Sequence, residues 1–118
     1  MKRNRTLDVE RDAEMIDRCV MQALLINRVT VPEDTEYFYG IYRNHYICEF
    51  TYTDYLKNIT YACGIILDAK YKSSIDFVRI PIWSECIDID EAQDKAFKAR
   101  KNIYYCFDTC IQQKGIIR

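Results

Sequence analysis

Hydrophobic and polar positions alternate strictly between Tyr46 and Asp68. Tyr46, Cys48, Phe50 and Tyr52 fall on one side; Ile47, Glu49, Thr51 and Thr53 fall on the other. After Tyr55–Asn58, Ile59, Tyr61, Cys63, Ile65 and Leu67 share a side, opposed by Thr60, Ala62, Gly64 and Ile66. Period-two alternation predicts two strands, each with one buried face. A one-residue slip would turn one greasy set outward, so the pairing is constrained. A four-residue loop satisfies it by setting Asp54 against Ile59, Phe50 against Cys63, Cys48 against Ile65 and Glu49 against Gly64. His45 and Asp68 then oppose each other on the side away from the core.

Helical periodicity brackets this hairpin. Val9, Ala13, Ile16, Val20, Ala23 and Asn27, widened by Met15, Cys19 and Leu24, predict an amphipathic helix over 7–27, with Thr6 as its N-cap. Ala92, Ala96, Ala99, Ile103, Cys106, Phe107 and Cys110 predict a second, from a capping box at Asp90 and Gln93 up to Gly115. Residues 37–42 read as a strand, with Arg43-Asn44 as the turn after it. Residues 75–82 read as another strand, placed at an edge because Pro81 cannot donate to a ladder. The fold class expected is α+β: an antiparallel meander of four or more strands with both long helices on the Cys48/Phe50/Cys63/Ile65 face.

Composition narrows the function classes. The chain has 118 residues, enough for one domain, here 1–118 with a disordered basic tail at 1–5. Its 17 basic and 18 acidic side chains leave a net charge of −1, which lacks the footprint of a nucleic-acid binder. No apolar run reaches transmembrane length, and the N-terminus lacks a signal core, so a cytoplasmic protein without membrane contact is expected, in its own cell or a host's. The 6 cysteines then read as reduced core residues.

Candidate chemistry is sparse. Cys106 and Cys110 could share an ion with Cys19 and Cys48 or Cys63, but packed thiols are the simpler account, and no metal or cofactor is expected. Asp54 and the Asp68-Ala69-Lys70 run resemble parts of a metal-dependent nuclease hairpin. The register sets those two acids roughly 30 Å apart, at opposite ends of the strands. His45 beside Asp68 reads as a surface ion pair, and no catalytic residue is nominated.

The α-β-β-β-α order and Ala92, Ala96 and Ala99 in the last helix resemble the double-stranded-RNA-binding domain. That resemblance implies a nucleic-acid-binding factor, the alternative reading. The family carries lysines at the start of that helix; Asp88, Asp90, Glu91 and Asp94 stand here. The favoured expectation is a non-enzymatic binding protein that captures a partner protein or small ligand through an aromatic, mixed-charge sheet surface. Its 10 tyrosines suit a contact surface. The nominated residues are Tyr37, Tyr39, Tyr42, Arg43, His45, Glu49, Thr51 and Arg79. A homodimer through the open sheet face or an edge is expected. Small size and missing catalytic motifs extend the reading to a phage or mobile-element inhibitor of host defence.

Overall fold

The computed structural model describes residues 6–83 and 88–117. The basic tail at 1–5 and the crossover at 84–87, with Cys86, lie outside the described residues, as does the side chain of Trp83. The described chain runs α1 (Ala13–Ile26), β1 (Phe38–Tyr42), β2 (His45–Asp54), β3 (Ile59–Asp68), β4 (Ser73–Trp83) and α2 (Ile89–Ile117). The four strands form one antiparallel sheet in the order β1-β2-β3-β4. The strand carrying Pro81 is an edge, as its missing N–H requires. The order is therefore α-β-β-β-β-α, one strand more than the RNA-binding resemblance implies.

The central register is the one that alternation demands. Phe50 pairs with Cys63, Cys48 with Ile65, Glu49 with Gly64 and Asp54 with Ile59. The Asp54 carboxylate accepts the N–H groups of Leu56 and Lys57 at 3.0 and 3.3 Å, holding the loop between these strands. Arg43 and Asn44 both adopt positive φ, 48° and 64°. This is the two-residue hairpin geometry whose twist matches its strands.

The helices do not share a face. Ile16, Cys19, Val20, Ala23 and Leu24 of α1 pack on Tyr46, Cys48, Phe50, Cys63, Ile65 and Leu67. Ala99, Ile103 and Phe107 of α2 pack on Ile47, Ala62 and Ile66, on the opposite side. The expectation of both helices on the Cys48/Phe50 face is thus corrected. The reason lies at position 64, where a missing side chain lets Ile103 and Phe107 reach the sheet backbone. The α1 side takes in several of the aromatics: Tyr46, Tyr52 and Tyr61 are buried there.

The helix ends depart from the pattern as well. The first helix begins at Ala13 after a turn at residues 9–12, not at Thr6. The buried Tyr46 hydroxyl causes this: it accepts the Asp8 N–H at 2.7 Å and donates to Asp12 Oδ2 at 2.5 Å. The C-terminus of α1 closes with Val29 N–H on Leu24 O at 2.9 Å and Arg28 N–H on Leu25 O at 3.1 Å. That is a Schellman closure with an arginine, φ 56°, where glycine is usual. At α2 the side-chain cap is Asp88, whose Oδ1 accepts the Glu91 N–H at 2.8 Å, and the helix continues past Gly115 to Ile117.

Candidate binding surface

The nominated residues separate onto the two sheet faces. Tyr37, Tyr39 and Arg79 lie on the α1 side. Tyr37 meets Phe50 edge-on at 4.9 Å, and the Tyr39 hydroxyl donates to Asp17 Oδ1 at 2.8 Å. Burial, then the bond to Asp17, raises the Tyr39 hydroxyl well above the usual phenol range. Arg79 donates to the Tyr52 hydroxyl at 2.9 Å and lies over the Tyr61 ring at 4.7 Å. That bond, more than any other influence, raises the Arg79 guanidinium further. These contacts tie the three side chains into the packing around α1.

Tyr42, Glu49 and Thr51 lie on the α2 side, with Arg43 in the turn beside them. Arg43 Nε stands 2.6 Å from Asp108 Oδ1 and 3.0 Å from the Tyr42 hydroxyl, which itself donates to Asp108 at 2.9 Å. One helical turn away, the Tyr104 hydroxyl donates to Glu49 Oε2 at 2.8 Å, and Arg100 Nε is 3.4 Å from Glu49 Oε1. The Tyr42 and Tyr104 rings tilt together at 4.8 Å between these two stations. Burial raises the Tyr104 hydroxyl, opposed by the Arg100 hydrogen bond and assisted by Glu49. His45 is turned back on its own hairpin, with Nδ1 2.8 Å from Arg43 O.

The helix lies mainly over β3 and β4. It therefore covers Ile47, Ala62, Gly64 and Ile66, but leaves the outer part of the same face open along β1 and β2. Phe38, the register partner of Glu49, is 62% exposed there, and Thr51 is exposed beside it. The other wall is the flank of α2. An open groove of about 330 Å³ runs along Phe97, Arg100, Lys101, Tyr104, Tyr105 and Asp108. Two cations sit on its rings: Arg100 over Tyr104 at 5.6 Å and Lys101 over Phe97 at 4.5 Å. The surface is aromatic and of mixed charge.

Sequence pattern did not nominate Phe38, Phe97, Arg100, Tyr104, Tyr105 or Asp108. A signal for two of them was present: Phe97 and Tyr105 are eight apart and fall off the Ala99/Ile103/Phe107 stripe. Cys19, Cys48 and Cys63 lie on the α1 side and Cys110 on the α2 side, so the sheet separates them. Among the described residues no cluster of three or more His, Cys, Asp or Glu side chains is placed to hold an ion. Asp54 and Asp68 end opposite ends of the hairpin, and Asp68 Oδ1 accepts the Lys70 N–H at 3.0 Å. Among the described residues no helix is long and apolar enough to cross a membrane.

Comparison with known proteins adds no relative: no protein-family model, curated protein or solved structure matches the chain.

Proposed function

We propose that this chain is a non-enzymatic binding protein of the cytoplasm, and that it captures a partner protein through the open sheet surface beside α2. The observation that supports the reading is the half-covered face. An exposed Phe38 and Thr51 lie next to a wall in which Tyr42 and Tyr104 stand beside the Arg43–Asp108 and Arg100–Glu49 pairs. Aromatic anchors bordered by paired charges are the usual make-up of a protein contact. Of the nominated residues, Tyr42, Arg43, Glu49 and Thr51 belong to this surface. Tyr37, Tyr39 and Arg79 would act from the α1 side, and His45 from the hairpin end.

Affinity capture from the native host, followed by mass spectrometry, tests the proposal. A partner retained by the wild-type chain and lost by both Phe38→Ala and Thr51→Arg supports it. A partner retained equally by both variants would remove this surface, and loss only with Tyr39→Ala and Arg79→Ala would move the site to the α1 side. A salt-dependent shift with RNA or DNA would replace the reading by the nucleic-acid one. Interference with a host defence is a further step of the same proposal, read out by whether the captured partner belongs to such a system.

A further inference from the structure

The two edges of the sheet are built differently. At the β4 edge stand Pro81, the charged Asp76 and Arg79, and two interruptions of the register against β3. Each is a device that discourages a further strand. At the other edge β1 reads Phe-Tyr-Gly-Ile-Tyr, with no charge, no proline and an unbroken register against β2. Both helices lie mainly over β3 and β4, and among the described residues no backbone group bonds to the outer side of β1. Phe38 at 62% and Ile41 at 48% exposure stand along it.

The turn fixes which groups face out. A two-residue hairpin closes on a hydrogen-bonded pair, here Tyr42 with His45. Tyr42, Gly40 and Phe38 therefore direct their N–H and C=O groups to β2, while those of Tyr39 and Ile41 point outward. These outward residues are symmetric about Gly40. We propose that β1 is a two-fold contact with β1 of a second copy of this chain, centred on Gly40, joining two four-stranded sheets into one of eight strands. Tyr39 and Ile41 exchange both backbone bonds across the axis, and they do so twice because the contact is isologous. Phe38 then faces Tyr42 of the other copy on the α2 side, and Ile41 faces Tyr39 on the α1 side. Continued by one step, the register sets Tyr37 against Arg43 and brings the exposed Glu36 beside that guanidinium. These self-matching ends favour a second copy over an unrelated strand. The edges that remain are both β4, so assembly stops at two copies.

A five-residue strand pair is a small contact by the standards of stable dimers, so the association is reversible and concentration-dependent. It uses the edge of the sheet and forms whether or not a partner occupies the face beside α2. A partner docked on Phe38 and Thr51 would meet both copies.

Sedimentation of the full chain over a concentration series, combined with cysteine cross-linking, tests it. The wild type shifts from monomer to dimer mass as concentration rises. Ile41→Pro removes an N–H that the monomer does not use and weakens the association at least about tenfold. Ile41→Lys gives the same loss with the backbone donor intact. Gly40→Cys suits the single chain, since a Cβ there comes no closer than 3.7 Å to Ile47. Two such residues on the axis are within disulfide reach, so mild oxidation links the dimer. Phe38→Cys, about 14 Å from its mate along the strands, stays unlinked. A wild type that stays monomeric throughout overturns the proposal and leaves the edge to a strand of another protein. So does a dimer indifferent to Ile41→Pro and Ile41→Lys while both variants keep their thermal transitions, or a Gly40→Cys chain that links no better than Phe38→Cys. Loss of the dimer with Thr51→Arg alone would move the contact to the open face.

Discussion

Phe107 rests on the bare backbone of Gly64: a Cβ at that position would stand 2.8 Å from Phe107 Cζ and would also strike Ile103. Gly64→Ala must therefore lift α2 or displace both side chains. The expected cost is about 1–3 kcal/mol, read as a lower midpoint in denaturant. In an Ile103→Ala background the added methyl finds room, so the same substitution costs less there. Equal costs in both backgrounds would remove the close approach as the cause.

Tyr46 ties the middle of the sheet to the chain entering α1. Tyr46→Phe removes a hydroxyl bonded to the Asp8 N–H and the Asp12 carboxylate. The loss is about 1–3 kcal/mol, since one partner is charged. Hydrogen exchange should accelerate at residues 8–16 more than in β3. Uniform acceleration across the molecule would argue that the hydroxyl anchors nothing local.

Burial pushes the Cys63 thiol up from 9.0 to about 12, with Arg79 pulling weakly the other way. Cys48 is raised further, again chiefly by burial. A raised value means that the folded chain keeps a proton which the unfolded chain releases. Stability from these thiols is full below pH 9 and falls as pH climbs towards 12, at a limiting slope of about 1.4 kcal/mol per pH unit per group. Cys63→Ala should flatten that alkaline decline. An unchanged slope between pH 9 and 11 counts against it.

Arg28 holds the left-handed position after α1, where a side chain is strained. Arg28→Gly should stabilise the fold by about 0.5–1 kcal/mol, the relief exceeding the extra freedom of the unfolded chain. A fall in midpoint would show that the arginine contributes something the closure does not.

Much of the sheet was legible because burial on one face and period two leave a single register for β2 and β3. The side taken by α2 was not. Ile47, Ala62, Gly64 and Ile66 are mixed with threonines and a glutamate, so the face reads as half-solvated. Residues 59–67 did hold the answer: Ile-Thr-Tyr-Ala-Cys-Gly-Ile-Ile-Leu is close to a continuous apolar run, the mark of a strand covered on both sides. The start of α1 was out of reach for another reason. Thr6 is a good local cap, but the deciding hydroxyl belongs to a residue 38 positions away from Asp8. The partner surface shares that difficulty, since Phe38 gains a setting only when α2 settles over β3 and β4 instead of β1 and β2.

Each strand hydrogen-bonds only to its neighbours in sequence, whereas the layer shielding Ile47, Ala62 and Ile66 follows all four strands in the chain. On the ribosome the meander can close under α1 while its far surface still waits, greasy and uncovered, for α2. Chains stalled before Phe107 would carry that unprotected surface into the cell, where chaperones and like chains would compete for it.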